Sequence, residues 1–235
     1  MENDINKPLH LEFIGLPGCG KSTISHRLSV DLRKVGYNVA EPSFDMDHQS
    51  FAFIRKISKL LFAAHYYCKE HQQYKLIAKL VKSNGYQGSV ALMQIVNIAQ
   101  KLVAYKRHKG EDYVVWDQGI SQAAISLSTL GLRKASENES DIYAMLPVQP
   151  NVLKIFVYCD SETALKRMSG RKTNDSRVEK MDSMEDKMSA LLKIESDCKE
   201  LYGDSGLLLN SLSNSLDEMH TYLYLRITGQ SSLKT

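Results

Sequence analysis

Three groups of residues have the types and spacing to do chemistry on a phosphate. The first is Gly15-Leu16-Pro17-Gly18-Cys19-Gly20-Lys21-Ser22-Thr23, where four residues separate Gly15 from Gly20 and Lys21-Ser22 follow at once. This is the full G-x-x-x-x-G-K-[ST] pattern. Its glycines permit a tight loop whose backbone N–H groups turn inward onto phosphate oxygens. A helix starting near Lys21 adds its positive N-terminal end. Lys21 then reaches the β- and γ-phosphates and the Ser22 hydroxyl ligates Mg²⁺. The pattern lies between an apolar run and an amphipathic one, a setting that a fortuitous glycine-rich turn does not require. The sequence therefore predicts a nucleotide's phosphates with Mg²⁺, contacted by Gly15, Pro17, Gly18, Cys19, Gly20, Lys21, Ser22 and Thr23.

The second group is a pair of carboxylates. Asp117 follows the apolar run Tyr113–Trp116. A carboxylate there can hold Mg²⁺ through a water, or cap the next helix, and the two roles are compatible. Glu41 lies where a short strand meets Pro42, which cannot continue a ladder. Ligands of open α/β sheets collect beyond such strand ends. Glu41 could thus take a proton from an acceptor hydroxyl; the alternative is a solvated loop glutamate. The third group is Arg167 and Arg171, one helical turn apart, with Arg177 beyond. Guanidinium groups suit phosphate forks and base stacking, or simply a solvated helix end.

Alternating strands and helices must position these groups. Leu9 to Ile14 reads as a buried first strand. Ser22 to Lys34 is a helix with a stripe of Ile24, Leu28, Leu32 and Val35, stopped by Gly36. Tyr37 to Ala40 is a short second strand. Phe51–Tyr67, Gln72–Val81 and Ser89–Lys106 have helical periodicity, and together they are long for a connection. They read as a substrate-side insertion over 51–109, with most aromatics there in the core. Tyr113–Trp116 is the third strand, Gln118–Leu130 a helix, and Ser136–Ala144 a short helix. Val152–Tyr158 is the fourth strand. A helix Ser161–Met168 follows, with Ser161 as its N-cap. Gly170–Met184 is polar, a lid. Glu185–Leu201 is helical, Leu207–Leu209 a fifth strand, and Leu216–Ile227 a closing helix. The pattern implies a parallel sheet covered on both faces, in a single domain over 1–235.

Net charge is +3, unevenly spread. Segment 51–109 holds eleven basic residues against one acid, Glu70. That excess is either solvated helix faces or the attraction for an anionic acceptor. The four cysteines lack metal-ligand spacing, which points to a reduced, cytoplasmic chain. Cys19 lies where a thiolate is favoured, though a small residue filling the loop is the simpler reading, and the other three read as ordinary residues. The polar N-terminus has no signal-peptide core, and no run is long enough to span a membrane.

The order of these pieces resembles the P-loop nucleoside and nucleoside-monophosphate kinases, especially thymidylate kinase and the deoxynucleoside kinases. The loop at Phe13–Thr23, Glu41-Pro42, Trp116-Asp117-Gln118 with Ser121, and Val157-Tyr158 through Ser161-Glu162, Ala164-Leu165, Arg167 and Arg171 carry the resemblance. It covers roughly residues 9–40 and 113–227. It implies a three-layer fold around a five-stranded parallel sheet of order 2-3-1-4-5. It also implies Glu41 as base toward a hydroxyl, Arg167 over the adenine and Arg171 on the phosphates. Gln118 stands where that family has an arginine, and 51–109 matches no part of the pattern. The expected activity is ATP-dependent transfer of the γ-phosphoryl group to a small anionic, sugar-like or nucleoside-like acceptor. Expected partners are a nucleotide and that acceptor, with nucleic acid less favoured and a homodimer left open. The alternatives are a polynucleotide 5′-hydroxyl kinase and an ATP-dependent binding or regulatory module.

Overall fold

A computed structural model describes residues 8–43, 52–108, 110–129, 132–170, 176, 178–203 and 206–229, with backbone alone over 52–60. Five strands form one all-parallel sheet: β1 Leu9–Ile14, β2 Val39–Ala40, β3 Tyr113–Trp116, β4 Asn151–Tyr158 and β5 Leu207–Asn210, in the order β2-β3-β1-β4-β5. This is the P-loop kinase-type order, and it puts β1 at the centre. Five of the six β1 residues are buried, because helices cover both faces.

Helix α1, Lys21–Lys34, follows the loop directly, and α9, Leu216–Thr228, packs beside it. With α8, Met184–Tyr202, they cover one face through Leu11, Phe13, Ile24, Leu28, Leu191 and Leu223. The opposite face is covered by α3 His71–Ser83, α4 Gly88–Arg107, α5 Ile120–Ser128 and α6 Ala135–Ala144, packed on Val114 and Trp116. Helix α2, Ala52–Lys69, precedes α3, and α7, Ser161–Ser169, follows β4. Alternation along β1 sends Leu11 and Phe13 to the first face and His10 and Glu12 to the second. Two polar side chains therefore sit inside, and they need partners.

The partners are there. Glu12 is fully buried and accepts hydrogen bonds from the Tyr105 hydroxyl, from the Tyr143 hydroxyl at 2.5 Å and from the Ser121 N–H at 2.7 Å. His10 Nδ1 accepts from Trp116 Nε1 at 3.0 Å, and the His10 ring stacks on Tyr105 with centroids 4.5 Å apart. Burial lowers the His10 pKa to about 4; Glu12 and Glu111 oppose the fall, and His108 adds to it. The imidazole is neutral in the fold, with its lone pair on Nδ1. Burial also raises the Tyr105 and Tyr143 phenols well above their ordinary value, and the Glu12 charge adds to the effect.

Most sequence-read elements are present, with three local corrections. β2 is shorter than expected, because Asn38 is already committed to the neighbouring turn: its N–H donates to Asp112 at 2.8 Å and its carbonyl accepts from the Asp112 and Tyr113 N–H groups. The helix after β3 starts at Ile120, since Gly119 is extended. The N-cap of α7 is Asp160, not Ser161; the Asp160 carboxylate accepts from the Thr163 N–H at 2.6 Å, while the Ser161 hydroxyl donates to Glu195. A carboxylate at the positive helix end is the stronger cap. Among the described residues no helix is long and apolar enough to cross a membrane.

Candidate active site

The loop between β1 and α1 is shaped by close approach. Gly15 has φ +151, and a Cβ there would meet the Val157 carbonyl at 2.5 Å. Gly18 has φ +87 and lies against α7; a Cβ there would be 3.6 Å from the Arg167 Cβ. Gly20, at φ +101, is the N-cap of α1, with no side-chain cap and no acid in the first turn. The first N–H groups of that helix are therefore left for an anion. Lys21 folds back over the loop, its Nζ donating to the Gly15 carbonyl at 2.9 Å and the Leu16 carbonyl at 2.8 Å. Such weak carbonyl contacts are ones that phosphate oxygens can replace with charge-assisted bonds.

A cavity of about 360 Å³ opens beside this loop. Gly15, Pro17, Gly18, Gly20, Lys21, Ser22 and Thr23 form one wall. Asn97 and Lys101 from α4 contribute to the lining, together with Gln118, Gln122 and Ser126. Ser176, Val178 and Met181, from the segment read as a lid, also line it. Gln122 fixes the loop's first residue, its Oε1 accepting from the Gly15 N–H at 3.2 Å.

Asp117 sits in the turn after β3, with its Oδ1 buried and without a hydrogen-bond partner among the described residues. It does not cap α5, whose N-cap is Gly119. An orphaned carboxylate oxygen of this kind fits the water shell of a Mg²⁺ ion. Ser22, exposed among the loop residues that line the cavity, fits a direct ligand. No cluster of three or more His, Cys, Asp or Glu residues occurs among the described residues.

Glu41 is held elsewhere. It is 4% exposed, and its Oε2 accepts from Arg33 Nη1 at 2.8 Å while its Oε1 lies 3.2 Å from His26 Nδ1. Both partners are on α1, and neither Glu41 nor Asp117 is among the cavity-lining residues. Arg167 is exposed at the end of α7 and reaches the β5–α9 loop, donating to the Ser211 hydroxyl and carbonyl at 3.1 Å each. Arg171, Arg177 and the first part of the expected lid lie outside the described residues. The structure thus lines one cavity with the loop, Lys21, Ser22, Thr23 and Gln118 of the turn that carries Asp117, and sets Arg167 against the loop tip.

Several residues were not singled out by sequence reasoning. Gly119 must be small, because a Cβ there would lie 2.4 Å from the Glu12 carboxyl carbon. On α4, Gln94 is buried with neither amide atom partnered among the described residues, and Asn97 and Lys101 follow at steps of three and four. That spacing places three polar residues on one stripe of the helix, a signal visible in the sequence. Cys159, at the end of β4, is buried beside Cys19 in the core. Burial pushes the Cys19 thiol up, but the Cys159 contact and the Lys21 ammonium outweigh it and bring the pKa below the ordinary thiol value. The Cys19 contact raises Cys159 in turn, with burial adding to it. Cys198 is buried and Cys68 exposed.

No protein-family model matches the chain, and no curated protein matches it by sequence. Solved structures do share its fold. A deoxyadenosine kinase from M. mycoides, with products dCMP and a flexible dCDP bound, superposes with a TM-score of 0.57 at 15% identity, covering 94% of this chain and 99% of that one. The same enzyme with bound dATP gives 0.54 at 15% identity, covering 93% and 98%. The chain has a P-loop kinase-type fold from one end of these structures to the other.

Proposed function

We propose that the chain is an ATP-dependent phosphotransferase. It moves the γ-phosphoryl group to a small acceptor that is anionic, sugar-like or nucleoside-like. One observation carries this reading: the phosphate loop opens onto a cavity that also has a polar helical wall, Asn97 and Lys101 of α4. A module that only held ATP would need the loop but no second-substrate wall. Gln94 on the same helix favours a nucleoside-like acceptor, because a buried amide is satisfied best by a paired donor–acceptor edge. The structural kinship with a kinase whose structures hold dATP and dCMP is in keeping with this reading.

In this reading Lys21 and the loop N–H groups hold the phosphates. Ser22 and Asp117 hold Mg²⁺, which when bound neutralises charge on the β- and γ-oxygens. Arg167 covers the base beside Ser211, Arg171 meets the phosphates, and 170–184 closes over them as a lid. Glu41 takes the hydroxyl proton. The test is a screen of sugars, nucleosides and nucleoside monophosphates for acceptor-stimulated ADP release. Lys21→Ala should abolish the stimulated rate, by at least about 10²-fold, while the chain stays folded. Near-normal turnover in that variant would overturn the reading.

A polynucleotide 5′-hydroxyl acceptor is the second reading. Lys75, Lys79 and Lys82 on α3 line a shallow groove with Tyr67 and Tyr74, and that groove favours it. Binding of single-stranded oligonucleotides that weakens steeply with salt would support this acceptor.

A further inference from the structure

We propose that Lys101 is a catalytic residue that contacts the phosphoryl group in transfer; this rests on the phosphotransferase reading above. Lys101 is 3% exposed. Among the described residues it and Lys21 are the cations that line the cavity. They arrive from different elements, Lys21 from the loop and Lys101 from α4. The Lys101 Nζ donates to the carbonyl of Gln118, the residue immediately after Asp117. Its ammonium is therefore anchored at the same turn as the carboxylate assigned to Mg²⁺. Asn97, one turn earlier on α4, lines the same cavity, whereas Ile98, Ala99 and Leu102 are in the core.

The chemistry has a use for a second cation there. The acceptor oxygen bonds to the γ-phosphorus as the bond from that phosphorus to the β–γ bridging oxygen breaks. ADP leaves with the electron pair, and the hydroxyl proton passes to a carboxylate. Negative charge is spread over the three equatorial oxygens throughout. Lys21 meets those oxygens from the loop, and Lys101 meets them from the helical wall. A preorganised charge aimed at them acts strongly. Because it bears on the γ group, Lys101 distinguishes a triphosphate from a diphosphate.

The test needs no knowledge of the acceptor. The affinities of Mg·ADP and of a Mg-bound non-hydrolysable ATP analogue are measured for the wild-type chain, Lys101→Met and Lys101→Arg. Lys101→Met should weaken the triphosphate by about 10-fold or more, the scale of one charge-assisted hydrogen bond, and change the diphosphate by less than about 3-fold. Lys101→Arg should restore most of the difference. An unchanged ratio in a folded Lys101→Met chain overturns the proposal and leaves the phosphotransferase reading standing. A wild-type chain that binds neither nucleotide overturns both. If Lys101→Met does not fold, the wild-type chain with ¹³Cε-labelled lysine decides. The Lys101 signal should shift with the triphosphate analogue and not with Mg·ADP, and equal shifts with both would overturn the contact.

Discussion

The Arg33 guanidinium closes on the Glu41 carboxylate at 2.8 Å while two further N–H groups hold the Val39 carbonyl at 3.1 and 3.0 Å. One arginine thereby fastens the end of α1 to both the last turn of β2 and the candidate base. Two roles for Glu41, base or brace, give opposite results. As base, Glu41→Gln should lower kcat by about 10²–10⁴ with nucleotide affinity within a few-fold. Arg33→Gln should leave kcat within about ten-fold, because the carboxylate survives. A Glu41→Gln chain with unchanged kcat and a lowered midpoint of denaturation would make the residue a brace.

Asp117→Asn keeps the size of the side chain and removes its charge. If the buried Oδ1 orders the Mg²⁺ waters, the variant should need at least about ten-fold more Mg²⁺ for half-maximal rate. Folding should be little affected, since that oxygen makes no hydrogen bond among the described residues. An unchanged Mg²⁺ titration would remove Asp117 from the metal site.

Gly15→Ala tests the packing of the loop. The added Cβ would lie 2.5 Å from the Val157 carbonyl and 2.9 Å from the Cys19 sulfur, at a φ that L side chains rarely adopt. Strain of about 1–3 kcal/mol is expected in the denaturation free energy, with a loss of nucleotide affinity of about ten-fold or more. Gly20→Ala is the comparison: it too has positive φ, but nothing lies within 4 Å of its Cβ position. The difference between the two variants isolates the collision.

His10 gives the fold a pH dependence of known sign. The folded imidazole titrates near 4, well below its ordinary 6.5, because it is buried. The unfolded chain therefore takes up the proton first as pH falls. This contribution is complete above about pH 6.5 and is lost progressively toward pH 4, to roughly 3 kcal/mol. Urea denaturation at intervals from pH 7.5 to 4.5 should show that decline, and His10→Gln should flatten it relative to wild type. Equal slopes in the two chains would mean that the imidazole is accessible to protons in the fold.

Legibility in the sequence followed the range of the interactions. The phosphate loop is legible because its spacing is local: Gly15, Gly20, Lys21 and Ser22 define it within one turn of chain. The helices and the strands β1, β3 and β4 are legible because each carries its own periodicity. Strand order came from resemblance, since no local pattern encodes which strands are neighbours. What stayed hidden are contacts between distant segments. Glu12 reads as an oddity in an apolar strand until Tyr105, Tyr143 and Ser121 surround it. Cys159 reads as ordinary until β4 delivers it to Cys19. Glu41 has the right position at a strand end, but its partners Arg33 and His26 come from the face of α1, and only tertiary packing shows them.

Helix α4 is bolted to the nucleotide side at two points one turn apart. Lys101 holds the Gln118 carbonyl, and Tyr105 holds the Glu12 carboxylate of the central strand. Two fixings on one rigid rod prevent it from pivoting about either of them. The wall it forms is therefore tied both to the central strand and to the turn after β3. In the phosphotransferase reading proposed above, that wall would serve an acceptor as a fixed gauge, and molecules too short to span from it to the γ-phosphorus would bind without being phosphorylated.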